Sequence, residues 1–145
     1  MIPGEGFWDS SALVPLCVLQ HSSQFVEQQL KRFHPVVWWG TSVEVQSAIC
    51  RLHRAIEITD EERQWGAERL KALRQSWIEM QPGMELRESA ERLLERHALR
   101  AGDSLQLAAA LVWCGGRPAK RVFVCADERL SKAARAEGFT VVEVG

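Results

Sequence analysis

Four acidic side chains, Asp9, Glu44, Asp103 and Asp127, hold positions from which they could act together. Asp9 follows the apolar pair Phe7-Trp8, and Asp127 follows the run Arg121–Cys125. Asp103 opens a segment otherwise built from Leu and Ala, and Glu44 stands between Val43 and Val45, which suggests a largely apolar setting. Carboxylates drawn together in a partly buried cleft repel one another and raise one another's pKa values, so the arrangement needs a cation between them. An all-oxygen donor set selects a hard ion such as Mg²⁺ or Mn²⁺, which keeps several waters and binds phosphate oxygens. Each acid also has a plainer reading. Asp9 would cap the turn before Ala12, Asp103 would be a helix N-cap paired with Gln106, and Asp127 would cap a helix through Leu130. Glu44 would favour the positive end of its helix. Taken singly, capping prevails; a shared position at one edge of a sheet changes the balance.

Other chemistries find little support. None of His21, His34, His53 and His97 lies in a triad-like or i, i+4 metal context. Cys17, Cys50, Cys114 and Cys125 sit on apolar segments without a C-x-x-C pair and read as reduced core residues of a cytoplasmic protein. A doubly wound phosphatase using Asp9 as nucleophile needs a second Asp two residues on, and that position is Ser11.

The elements that must position the acids follow from the apolar pattern. Phe7-Trp8 reads as a short buried strand that breaks into a turn and an opening helix around Ala12–Leu16, with Asp9 at its end. Ser23 caps a helix to about Phe33, and Pro35–Gly40 is a second strand. A helix from Ser42 carries Val45, Ala48, Ile49, Leu52 and Ile56, and Thr59-Asp60-Glu61-Glu62 resembles a capping box opening another. Trp77–Met80 is a third strand, Met84–Arg96 a helix, and Gly102-Asp103 begins a helix through Trp113 that stops at Gly115-Gly116. Arg121–Cys125, a helix over Asp127–Glu137 closed by Gly138, and a strand at Thr140–Glu143 complete the pattern. Unbroken apolar strands alternating with helices predict a parallel sheet covered on both faces, whose ligand sites gather at the carboxyl ends of the strands.

With 145 residues, 46% of them hydrophobic, the chain is the size of one domain with one core. The apolar stretch Ala108–Cys114 is shorter than the roughly 20 residues of a membrane-spanning helix, and no targeting segment opens the chain. A net charge of −1 leaves the partner open, since only the sorting of 18 basic and 19 acidic residues would matter. Lys31, Arg32, Arg51, Arg54, Arg100, Arg117, Lys120, Arg121 and Arg129 could track a nucleic-acid backbone, but little basic character lies immediately around the acids. Trp8, Trp38, Trp39, Trp77 and Trp113 read as core, with Trp65 the exception among polar neighbours.

Asp9–Val14, Thr41–Val45 with Ser47-Ala48 behind it, Arg100–Ala110 and Val124–Leu130 resemble, in order and spacing, the four acidic motifs of PIN domains, and above all VapC-type toxins of toxin–antitoxin pairs. The likeness extends to the closing Ala136–Val142. It implies one PIN domain over residues 1–145, a ribonuclease-H-like α/β/α fold with strand order 3-2-1-4-5. It further implies an Mg²⁺- or Mn²⁺-dependent endoribonuclease in which Asp9, Glu44, Asp103 and Asp127 hold one or two ions, with Ser11 as the small hydroxyl residue beside them. Single-stranded or loop RNA would be the substrate, cut to a 5′-phosphate and a 3′-hydroxyl, and a small VapB-type antitoxin the partner. Cys125 departs from the pattern, standing where relatives often place Ser or Thr. The helical pair between Ser42 and Gln75 would receive the antitoxin through Val45, Ile49, Leu52, Ile56, Trp65, Leu70 and Leu73, unless those side chains are core or a homodimer contact. The competing reading is a catalytically weak PIN-like module that docks a protein partner.

Overall fold

The structure, a computed structural model, describes residues 4–145. Five strands, β1 (Gly4–Trp8), β2 (Phe33–Trp38), β3 (Ile78–Met80), β4 (Val122–Cys125) and β5 (Thr140–Glu143), form one all-parallel sheet. Their order is β3-β2-β1-β4-β5, the order that the resemblance implies. Seven helices connect them: α1 (Ser10–Cys17), α2 (Ser23–Arg32), α3 (Thr41–Arg54), α4 (Asp60–Arg74), α5 (Met84–Arg96), α6 (Ala101–Trp113) and α7 (Glu128–Glu137).

Alternation along each strand splits the core into two layers. Phe7, Val36, Trp38 and Phe123 face one way, against Leu86, Ala90 and Leu93 of α5, Leu107–Ala110 of α6, and Leu130 and Ala134 of α7. Trp8, Val37 and Val124 face the other, against Leu13 and Leu16 of α1, Val26 of α2, Val45 and Ile49 of α3, and Leu70 and Leu73 of α4. Both faces of the sheet's centre are therefore dry, which is why Phe7-Trp8, Val36–Trp38 and Phe123–Cys125 are unbroken apolar runs.

Local signals place the ends. Thr59 and Glu62 form the expected reciprocal box at the start of α4, with Thr59 Oγ1 accepting from the Glu62 amide at 3.1 Å and Glu62 Oε1 from the Thr59 amide at 2.9 Å. Gly138 closes α7 at φ +114, a left-handed conformation natural to glycine. Pro15 does not end α1, which runs on to Cys17. Ser23 does not cap α2; its hydroxyl donates to the Pro15 carbonyl at 2.7 Å, tying the α1–α2 loop.

Two expectations about side chains need correcting. Of the seven apolar residues assigned to an antitoxin surface, Val45, Ile49, Leu70 and Leu73 are buried, because α3 and α4 pack on α1 as well as on the sheet layer. Leu52 is half-buried, and Ile56 and Trp65 are exposed, Ile56 lying beyond the end of α3 at positive φ. Trp39 is not core: β2 ends at Trp38, and the indole of Trp39 is 51% exposed. No helix among the described residues is long and apolar enough to cross a membrane.

Gly66 marks the closest helix approach on the α1–α4 side. A Cβ there would lie 2.8 Å from the Cys17 carbonyl oxygen, which is backbone and cannot turn away, whereas Gly102 at the start of α6 has open space around it. Gly66→Ala is therefore expected to destabilise the protein by about 1–3 kcal/mol through overpacking. Gly102→Ala is expected to be neutral or to stabilise it by up to about 1 kcal/mol. Chemical denaturation of the two variants checks this, and a Gly66→Ala protein as stable as the parent would refute the close approach.

Candidate metal centre

Because all five strands run the same way, β1, β2 and β4 end at one edge, and the four acids are delivered there by different means. Asp9 is the N-cap of α1, its Oδ2 accepting from the Ser11 amide at 3.2 Å and also from the Ser11 hydroxyl. That hydroxyl in turn accepts from the Ala126 amide at 3.0 Å, clamping the end of β1 to the end of β4. Glu44 lies in the first turn of α3, but its setting is polar rather than apolar, since Val43 beside it is 67% exposed. Ser10 Oγ donates to Glu44 Oε2 at 3.0 Å and Gln106 Nε2 to Oε1 at 3.1 Å. Gln106 is wholly buried in α6, and its amide nitrogen also lies 3.1 Å from Thr41 Oγ1.

Asp103 is not the N-cap of its helix and does not pair with Gln106. It sits in the first turn of α6, half-buried, with a long 3.4 Å contact from the Arg100 amide. Asp127 is the N-cap of α7, with Oδ1 accepting from the Leu130 amide at 2.9 Å, and is also half-buried. Capping and clustering thus coexist at Asp9 and Asp127, because a cap uses only part of a carboxylate's acceptor capacity.

Electrostatics link the four. Burial pushes Asp9 from its ordinary value of 3.8 up to about 6; hydrogen bonds from Ser11 oppose that rise, and the charges of Glu44 and Asp103 add to it. Glu44 is raised by burial, against the bonds from Ser10 and Gln106, and by Asp103. Asp103 is raised by burial and then by Asp127, while Arg100 and Arg129 pull the other way. Asp103 is therefore the acid common to the inner group and to Asp127. None of the four is in an ion pair among the described residues.

The donor types suit a hard divalent ion: carboxylate oxygens, on residues of which Glu44, Asp103 and Asp127 are half-buried, with no ion-paired counter-charge among the described residues. The set is an open edge and not a cage. Among the described residues, no three His, Cys, Asp or Glu side chains are gathered closely enough to enclose an ion by themselves. Mg²⁺ is commonly held in that way, by one or two carboxylates plus waters and substrate phosphates. Cys125 lies beneath the group with its thiol 3.7 Å from Asp9 Oδ2. Burial, followed by the Asp9 charge, pushes that thiol up to about 12, so it is a neutral donor and not a thiolate ligand.

Beside Asp103 and Asp127 opens a cleft of about 610 Å³, lined also by Arg100, Glu128, Arg129 and Lys132. The surroundings are therefore more basic than the sequence pattern indicates. Lys132 gives no signal of this in sequence, because it is five residues from Asp127 and comes back to the cleft only through the turn of α7. Ser10 and Gln106 are also absent from the sequence-based site. A glutamine within the Leu- and Ala-rich Leu105–Ala110 is the available signal, since a buried amide needs partners. The histidines play no part here: His53 pairs with Asp60, and His97 with Glu137 at the far end of α7, each at 2.6 Å.

Two solved structures share this arrangement of elements. A chain of a toxin–antitoxin complex from Klebsiella pneumoniae superposes with a TM-score of 0.64 at 13% identity, over 88% of this chain and 91% of its own. A protein of Pyrobaculum aerophilum does so with a TM-score of 0.64 at 20% identity, over 97% and 90%. At these identities the likeness is one of fold. No family model matches the sequence, and no curated protein matches it either.

The raised acids have a measurable consequence in metal-free buffer. Asp9 binds its proton more tightly in the folded chain than in the unfolded one, so its contribution to stability is fully present below about pH 3.8 and is lost as pH rises through about 6. The difference corresponds to on the order of 3 kcal/mol. Asp9→Asn, which keeps an acceptor for the Ser11 amide, is expected to be more stable than the parent above pH 6 and to lose that advantage below pH 4. Millimolar Mg²⁺ is expected to narrow the gap at neutral pH. Urea denaturation of both proteins across pH checks this; a variant less stable at neutral pH would show that Asp9 is a cap alone.

Proposed function

We propose that this chain is a divalent-metal-dependent endoribonuclease and the toxin component of a toxin–antitoxin pair. The observation that carries the reading is the set of four carboxylates at one sheet edge, three of them raised in pKa and none in an ion pair among the described residues. The PIN-domain motifs of the sequence, and the fold shared with a chain of a toxin–antitoxin complex, support it.

Asp9, Glu44, Asp103 and Asp127 would hold one or two Mg²⁺ or Mn²⁺ ions. Held by these carboxylates, such an ion would make a bound water more acidic and would offset negative charge on a phosphodiester. The protein's own part is positional. Ser10 and Gln106 grip both oxygens of Glu44, and Ser11 grips Asp9 while it braces β1 against β4. With the acids already bonded in place, little reorganisation is left for the moment of reaction. No side-chain nucleophile is required. A small antitoxin would restrain the activity, and an arginine on its tail would suit the same carboxylates.

Cleavage of structured RNA is expected in Mg²⁺ or Mn²⁺ and absent in excess chelator. Asp9→Asn, Asp103→Asn and Asp127→Asn are each expected to lower it by on the order of 100-fold or more, since even partners behind the ligands typically carry 10- to 100-fold. Gel analysis of labelled RNA reads both results. Turnover that survives chelation would defeat the metal mechanism, and intact RNA under all conditions would favour the binding module.

Expression of the chain alone is expected to arrest growth, and a small protein encoded beside it to relieve the arrest and co-purify. Harmless expression, together with a neighbour that neither binds nor inhibits, would remove the toxin assignment while leaving the nuclease untouched.

A further inference from the structure

The exposed Trp39 and the cleft of mixed charge that Asp103 and Asp127 help to line follow different strands of one edge, with Asp9 between them. Trp39 follows β2 directly, and its amide bonds to the Met80 carbonyl at 2.9 Å, so it extends the ladder on the β3 side. Asp9 follows β1, and Asp127 follows β4. Neighbouring strands are about 4.8 Å apart, so the sequence Trp39, acids, cleft spans roughly 10 Å of the carboxyl edge. An extended polynucleotide covers such a distance within a few nucleotides.

The two flanks offer complementary chemistry. Trp39 is half exposed and is held edge-on by the buried Trp38, with ring centroids 6.2 Å apart, so it is a braced aromatic and not a loose one. On the other side, Arg100, Arg129 and Lys132 line the cleft, and none of them is in an ion pair among the described residues. They face Asp103, Asp127 and Glu128, which leaves the cleft near neutral by formal charge. A divalent ion on the acids would tip that balance positive and add to the attraction that Arg100, Arg129 and Lys132 offer a phosphate.

We propose that a single RNA strand crosses this edge with one base stacked on Trp39, the scissile phosphate over the acids, and a neighbouring phosphate seated among Arg100, Arg129 and Lys132. The inference rests on the nuclease reading and adds to it the path of the strand and the two side-chain groups that hold it on either side of the acids. A base can reach an indole face only when it is unstacked from its own neighbours, which selects a single strand or a loop over a duplex.

Binding of a short fluorescein-labelled single-stranded RNA to the full chain tests this, in the Asp9→Asn background with Mg²⁺ so that the probe survives. Trp39→Ala is expected to weaken binding about 5- to 150-fold while leaving the slope of log K against log salt unchanged, the range for removing one stacked base. Trp39→Phe is expected to restore most of it. A strand with an abasic residue at the stacking position should bind equally to proteins with and without the Trp39→Ala substitution. The pair Arg129→Ala and Lys132→Ala is expected to flatten the salt slope by about 0.7 for each phosphate that is no longer neutralised. A matched RNA duplex should be insensitive to Trp39→Ala. If Trp39→Ala changes the oligomeric state but not RNA affinity, the indole serves a protein contact and the proposal falls. If the parent cleaves RNA while neither flank alters binding, the strand takes another path; the proposal falls and the nuclease reading stands.

Discussion

Everything at the carboxyl edge of this sheet follows from the difficulty of keeping like charges together out of water. Asp9 is almost fully buried, and among the described residues its carboxylate is hydrogen-bonded by a backbone amide, a hydroxyl and a thiol. Neutral donors of this kind orient a carboxylate without cancelling its charge. The fold thus fixes the acids in place and leaves the charge to be met from outside. A lysine or arginine in contact would have solved the electrostatic problem and closed the site at the same time.

The scaffold makes this tenable by distributing the load. Asp9 and Asp127 each cap a helix, so part of their negative charge is met by the amides at the start of α1 and α7. Glu44 is held by Ser10 from α1 and Gln106 from α6, that is, from both layers of the sandwich. Gln106 lies among Leu and Ala in a buried stretch of α6, and its amide is a donor that does not itself titrate.

The strands and most helix boundaries were legible in the sequence because each depends on local pattern: apolar runs, capping residues and the glycine at 138; the order of the strands was implied only by the resemblance of the acidic motifs. What was not legible depends on contacts between distant segments. Ser10 meets Glu44 across 34 positions and Gln106 meets it across 62, and no periodicity announces such a pair. Trp39 departs from its expected place for a different reason. Its neighbours Val36, Val37 and Trp38 are all buried, whereas Trp39 lies one residue past the last register pair with β3, Trp38 with Met80, and its side chain is left in solvent. The faces of α3 and α4 look over-supplied with apolar residues when weighed against the sheet alone, but α1 and α2 lie on the same side and take up Val45, Ile49, Leu70 and Leu73.

The central strand of the sheet comes first in the chain, and its second neighbour, β4, comes near the end. Residues 9, 44, 103 and 127 meet only when Val122–Cys125 has paired with Gly4–Trp8, and Ala126 must arrive before the Ser11 hydroxyl has its amide. A chain emerging from the ribosome at several residues per second would therefore carry Asp9 and Glu44 unassembled for a good part of its synthesis, and Asp103 with them for the stretch before β4. Whatever the assembled edge does, it begins to do it only as the last segment docks, and a nascent or truncated product lacks the means.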